Sequence, residues 1–267
     1  MVRLPVKASR IDYLRLLKEA VMDIAFRDKF LTLWKKYFNH AELPITFYYT
    51  DVITGAQPAG NESLPRCIIG ALANIREGKS LYFDTASLKC GQRFLGFSSE
   101  IRPTFRYFLS CGIPGKMRGE RYVKSPEMVD EITKNTPSFI APYKYIVFKR
   151  WDKLTAADIP QVVIFFAVPD VLAGLFTLAR FDETDRSAIQ VPFGSGCANI
   201  VQNPYLEQQS EHPRSIIGMF DISARPCVQQ NILTMAIPMK KFTAVVDNMD
   251  ESFLITDSWQ IIQQRIP

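Results

Sequence analysis

Ala41-Glu42-Leu43-Pro44, followed by Phe47-Tyr48-Tyr49, is answered later in the chain by Ala157-Asp158-Ile159-Pro160, followed by Ile164-Phe165-Phe166. Each is an acid-containing turn ending in proline, then a short apolar and aromatic run, the pattern of a buried strand. The correspondence continues outward in order. Pro65, Gly70 and Arg76 recur as Pro169, Gly174 and Arg180 at the same internal spacing, in two stretches that read as helices. Strands are then expected at Ser80 to Asp84 and Ser187 to Val191. Cysteine-bearing turns follow at Cys90 and Cys197, and Arg-led strands at Arg106-Tyr107-Phe108-Leu109 and Arg214-Ser215-Ile216-Ile217. Proline-started helices from Pro126 and Pro238 close the two units. Ordered self-similarity of this kind predicts an α/β fold of two similar halves related by internal duplication, residues 41–150 and 155–267, sharing one core around a pseudo-two-fold axis. The second half carries a C-terminal helix from Asp257.

The first 40 residues read as a helical extension. Ser9 to Asp12 resembles a cap, and Ile11, Leu14, Leu17 and Val21 recur at helical spacing. Phe26, Phe30, Leu33, Trp34 and Tyr37 form an aromatic face, expected to serve as core or as a homo-oligomer contact. If that face were exposed, the chain would read as an interaction protein.

The 267 residues are 47% hydrophobic and 22% charged, enough for a sizeable core. The net charge of +5 comes from scattered residues with no Lys/Arg run longer than two, so no nucleic-acid stripe is expected. The apolar run from Gln161 to Ala179 is broken by Pro169-Asp170, which argues against a membrane span. The N-terminus lacks the apolar segment of a secretory signal, so a cytoplasmic location is expected.

The candidate site centres on Phe193-Gly194-Ser195-Gly196-Cys197. Ile189 to Phe193 reads as a buried strand end, and the following apolar helix is expected to stop at Asn203-Pro204. Two glycines allow close backbone approach, and N–H groups at a helix start favour an anion. A cysteine there is expected to be more reactive than one in apolar packing, as expected for Cys67. The predicted ligand is a small anionic molecule held by Cys90, Gly91, Arg118, Gly194, Ser195, Gly196, Cys197 and Arg225, since arginines clamp carboxylate or phosphate. The alternative is a metal or iron-sulfur cluster on Cys67, Cys90 and Cys197, although there is no C-x2-C pair and only two histidines, His40 and His212. The glycine turns match neither the dinucleotide nor the P-loop pattern, and Ser195 lacks the spacing of a nucleophile elbow.

Cys90-Gly91 with Phe94-Leu95-Gly96-Phe97, Gly112-Ile113-Pro114, Gly119-Glu120-Arg121-Tyr122, Phe193 to Cys197, Gly218 to Arg225, and Glu251 to Leu254 together resemble the prokaryotic domain-of-unknown-function family 169. The resemblance runs from about Pro44 to the C-terminus and implies a soluble α/β protein of bacteria or archaea, with no activity to carry over. Where that family often reads Cys-Pro-Gly, this chain reads Cys90-Gly91-Gln92. Cys111 and Cys227 fall outside the pattern and are not assigned to the site.

Overall fold

A computed structural model describes residues 22–59, 67–87 and 91–266. The helix expected from Ser9 and the candidate Cys90 lie outside the described residues. In chain order the strands are β1 (Ile45–Thr50), β2 (Gln57–Pro58), β3 (Leu81–Phe83), β4 (Gly112–Ile113), β5 (Met117–Arg118), β6 (Tyr145–Arg150), β7 (Val162–Ala167), β8 (Ile189–Gln190), β9 (Ser215–Gly218) and β10 (Leu233–Pro238). The α-helices among the described residues are α1 (Ile24–Phe38), α2 (Ile68–Arg76), α3 (Phe105–Leu109), α4 (Pro126–Asn135), α5 (Pro169–Leu178), α6 (Asn203–Gln208), α7 (Met239–Asp247) and α8 (Asp257–Gln263).

Eight strands form one mixed sheet in the order β2-β3-β6-β1-β7-β10-β9-β8, and β4-β5 stands apart as a hairpin. At the centre β1 and β7 run antiparallel, with Ile45 opposite Ile164 and Phe47 opposite Val162. Outward from that seam the senses repeat on both sides. β6 and β10 are antiparallel to the central strands, β3 and β9 antiparallel to those, and the edge strands β2 and β8 parallel to β3 and β9.

Alternation along the strands divides the core in two. Phe47, Tyr49, Ile164 and Phe166 face α2 and the segment leading into α6, together with Ile200 and Tyr205. Val163, Phe165 and Ala167 face α1, α5, α7 and α8 on the other side. In α1, Asp23 caps the Ala25 N–H at 2.8 Å, and Phe30, Trp34 and Phe38 recur every four residues along the buried face. Trp34 stacks on Phe38 with ring centroids 4.2 Å apart. The glycine inside α5 has a packing cause: a Cβ on Gly174 would stand 2.3 Å from the Trp259 ring of α8.

A buried polar network links β1 and β6 to the turn before β7 on this second face. Lys149 Nζ donates to Asp158 Oδ1 at 2.8 Å and to the Thr54 carbonyl at 2.9 Å, the Tyr48 hydroxyl donates to the same carboxylate, and Thr155 caps the other oxygen through its N–H and hydroxyl. Lys149 and Asp158 are 1% and 0% exposed, so the pair is held with its hydrogen bonds met, as a buried charge requires.

Several expectations are corrected. The aromatic helix at 24–38 is a layer of the core, with Phe30, Trp34 and Phe38 buried, which is the first of the two roles expected for that face. The helices matched as counterparts, α2 and α5, lie on opposite faces. A rotation that superposes antiparallel β1 and β7 keeps each face on itself, so these two cannot correspond. Arg106 to Leu109 is helical rather than extended. A short apolar run does not distinguish the two states, and Arg106 is held here by Glu127 and Asp130 of α4 at 3.1 and 2.5 Å. The strand before the glycine turn is only β8, and Val191 and Phe193 are exposed. The chain does not stop at Asn203-Pro204 either. The π-helical turn Ala198–Gln202, with the Asn203 N–H on the Ala198 carbonyl, runs into α6 and carries Pro204 in that helix's first turn, where no N–H is needed.

Candidate functional site

Three backbone donors of the turn after β8 are met from inside the chain. The Gly196 N–H donates to Asp221 Oδ2 at 3.0 Å, the Ala198 N–H to the Ser195 hydroxyl at 3.1 Å, and the Asn199 N–H to the Ser195 carbonyl at 3.2 Å. Asp221 in turn accepts from the Ser223 N–H and hydroxyl at 3.0 and 2.7 Å. The place foreseen for an external anion at Gly196 is therefore filled by the chain's own carboxylate.

Three other segments close on the same turn. A Cβ at Gly196 would lie 3.3 Å from Ala224 Cβ and 3.4 Å from the Ile69 side chain, so the start of α2 and the loop after β9 press on it from separate parts of the chain. Gly91, in the left-handed region at φ +78°, has its Cβ position 3.5 Å from Cys197 Sγ. On the sheet side, a Cβ at Gly218 would stand 2.7 Å from Asn199 Cβ, which fixes how closely the π-helical turn docks on β9.

Cysteine burial differs from the expected ranking. Cys197 is 5% exposed, whereas Cys67 is half-buried and forms the N-cap of α2 instead of lying inside that helix. Cys227, unassigned from sequence, ends the 3-10 turn Arg225–Cys227 and packs on the same core cluster as Cys67 and Cys197. Burial pushes its thiol pKa up, and the nearby Cys67 and Asp221 push it further. Among the described residues no group of three or more His, Cys, Asp or Glu side chains is placed to hold a metal ion.

The arginines divide into two kinds. Arg225 donates to the carbonyls of Ile232, Gln229 and Gln230, and Arg214 pairs with Glu207 at 2.5 Å, so both brace loops. Arg118 and Arg121 are exposed on and after the β4-β5 hairpin. Past the hairpin, Tyr122 has its phenol raised first by burial, and the charges of Glu120 and of Asp221, from the loop after β9, add to that shift. A separate cavity of about 340 Å³ between α3 and α4 is lined by Arg102, Arg106, Asp130 and Lys134 among others, and no predicted site residue lines it.

Around this cluster the surface is apolar. Val191 and Phe193 on the loop leaving β8, and Phe220 and Ile222 on the loop leaving β9, are all exposed. The two strands are parallel neighbours, so both loops leave the same end of the sheet, and the Gly196–Asp221 bond ties them together. Two of the non-glycine residues at positive φ border the site, Arg121 at 57° and Met219 at 74°. Asp221, Phe220 and Ile222 were within the quoted motif from Gly218 to Arg225, but nothing in the sequence tells which of them turns outward. Cys227 carried no signal beyond being a cysteine.

The fold is that of a mixed α/β protein, with a cysteine-bearing loop cluster at the end of a parallel strand pair. The chain belongs to family DUF169, described as an uncharacterised ArCR family, whose model matches residues 36–248. No curated protein and no solved structure matches it. Among the described residues no helix is long and apolar enough to cross a membrane.

Proposed function

We propose that this protein binds a small amphipathic anion, with the apolar body of the ligand on Val191, Phe193, Phe220 and Ile222 and its acidic end toward Arg118 and Arg121. The observation that carries the reading is the exposed apolar rim on two tied loops at one end of parallel strands, where ligands of open α/β sheets commonly bind. The anionic part rests on the exposure of Arg118 and Arg121, the latter next to Tyr122; among the described residues neither arginine has an ion-pair partner. Gly91, Gly194, Ser195, Gly196 and Cys197 form the floor in this reading, and Arg225 acts as a brace. Binding of the anionic fluorophore anilinonaphthalene sulfonate tests it. Saturable enhancement should be lost in Phe193→Ser/Phe220→Ser and weakened in Arg118→Ala/Arg121→Ala, while the uncharged N-phenylnaphthylamine responds to the first pair only. Equal enhancement in all variants would remove the reading.

The internal duplication is part of the same proposal, with a changed register. Its support is connectivity: β1, β2, α2, β3, β6 in the first half and β7, β8, the π-helical turn with α6, β9, β10 in the second, each strand set taking the same places outward from the seam. In this register α2 corresponds to the π-helical turn with α6 on the same face, Cys67 to Cys197, and α5 is an addition to the second half. The tie between Gly91 and Cys197 then mirrors that between Cys227 and Cys67, the reciprocity expected about a two-fold axis. A crystal structure in which the halves fail to superpose in this register would refute it.

A further inference from the structure

We infer that the cavity between α3 and α4 is a second ligand site, shaped for a small organic phosphate monoester. It is separate from the loop cluster and does not depend on the reading given to that cluster. Two short helices frame it. α3 has no buried residue and α4 has only Val129, so the pair meets around open space instead of an apolar core. Ion pairs join the two: Arg106 reaches Glu127 and Asp130 at 3.1 and 2.5 Å, and both carboxylates are exposed. Exposed pairs of this kind add little stability, and helices of five and ten residues are shorter than those that persist alone. A molecule lodged between them would supply the contacts that a core supplies elsewhere in the fold.

The wall of the cavity says what that molecule is. Its volume of about 340 Å³ falls in the range of small-molecule sites. Ile101, Phe105 and Val129 give it an apolar part, and Arg102, Arg106 and Lys134 a cationic one, with the Thr133 side chain between Val129 and Lys134 on α4. The carboxylate lining it, Asp130, already accepts from Arg106, and Glu127, the second partner of Arg106, is not part of the wall. The lining therefore carries three cations against one acid. Residues 101–144 hold eight lysines and arginines against four acids, most of the chain's net charge of +5, so the surrounding field also favours an anion. A phosphate monoester brings a charge of about −1.5 to −2 and three accepting oxygens. That matches an excess of two positive charges and donors arriving from two places, Arg102 ahead of α3 and Lys134 in the last turn of α4. A carboxylate offers one charge and two oxygens, and meets the same wall less completely.

Phenyl phosphate is the probe, titrated into the full chain by calorimetry and followed by amide hydrogen exchange. Exchange should slow over 101–109 and 126–135, and should do so equally in Phe193→Ser/Phe220→Ser, which lacks the apolar rim of the loop cluster. Arg102→Gln and Lys134→Gln should each raise Kd about tenfold, the size expected for one charge-assisted hydrogen bond. Both positions are exposed, and circular dichroism checks that the variants are folded. Thr133→Trp, which fills the cavity, should abolish the slowing. Benzoate and inorganic phosphate should each bind more weakly than phenyl phosphate, since one lacks the second charge and the other the apolar body. Slowed exchange only outside the two helices, an unchanged Kd in both cation variants, or equal binding of benzoate or inorganic phosphate overturns the proposal.

Discussion

Asp221 accepts the Gly196 N–H at 3.0 Å, so a side chain from the loop after β9 occupies the position an external anion would take at the turn after β8. Replacing Asp221 with glycine should cost about 1–3 kcal/mol in urea unfolding, the range for a lost hydrogen bond to a charged group. Formate should restore part of that in the Asp221→Gly variant and leave the wild type unchanged, because only the variant has room for it. No response to formate would mean that Asp221 acts through its loop alone.

Gly218→Ala should be costly for a different reason. The added methyl would meet Asn199 Cβ at 2.7 Å and Thr234 Oγ1 at 3.1 Å, forcing the π-helical turn away from β9. Overpacking of this kind typically costs ~1–3 kcal/mol. Gly115→Ala is the control, since nothing lies within 4 Å and only its φ of +70° opposes the change. No loss at Gly218, which has no positive φ, would show that the turn gives way to the added methyl without cost.

Lys149 and Asp158 set both a mutational and a pH prediction. Asp158→Ala leaves a buried ammonium and should destabilise by about 3–5 kcal/mol, whereas Lys149→Met combined with Asp158→Leu should recover much of that loss. Burial, then the hydrogen bond to Asp158 and its charge, raise the Tyr48 phenol far above its ordinary 10.0. A raised phenol contributes stability that is complete below pH 10 and lost as pH climbs above it. Unfolding free energy should therefore fall on the alkaline side, and Tyr48→Phe should flatten that limb. An unchanged alkaline slope in Tyr48→Phe would rule out this source.

The α1 layer gives a test of core against appendage. Trp34→Ala or Phe38→Ala should cost ~3–5 kcal/mol, the usual price of removing a buried aromatic ring. Deleting residues 1–40 should leave a chain without a cooperative unfolding transition. A truncated protein that still melts sharply would restore the extension reading for this helix.

Strands whose apolar runs are bounded by proline and glycine were legible in the sequence: Ile45 to Tyr49, Val162 to Ala167 and Ser215 to Ile217 fall in β1, β7 and β9. Helix starts at Pro126 and Pro169 were equally plain, because proline fixes φ where its missing N–H is harmless. Which face a helix takes was not legible, since it depends on the handedness of a crossover between strands paired far apart in the chain. That is why α2 and α5, alike in sequence pattern, read as counterparts although they lie on opposite faces. Leu109 and Phe108 show a second limit: four apolar or aromatic residues around one arginine suit strand or helix, and Glu127 with Asp130 decided. At the site, the convergence on Gly196 came from Ile69 and Ala224, residues with no chemistry of their own to advertise. Asp221 was visible as a residue but not as the cap of a turn many positions away.

Both outer strands of the sheet, β2 and β8, are two residues long, and one of them contains Pro58. An incoming chain would find almost no row of backbone donors and acceptors to copy. Among the described residues these edges therefore offer little for strand addition, and a partner meeting them must read side chains.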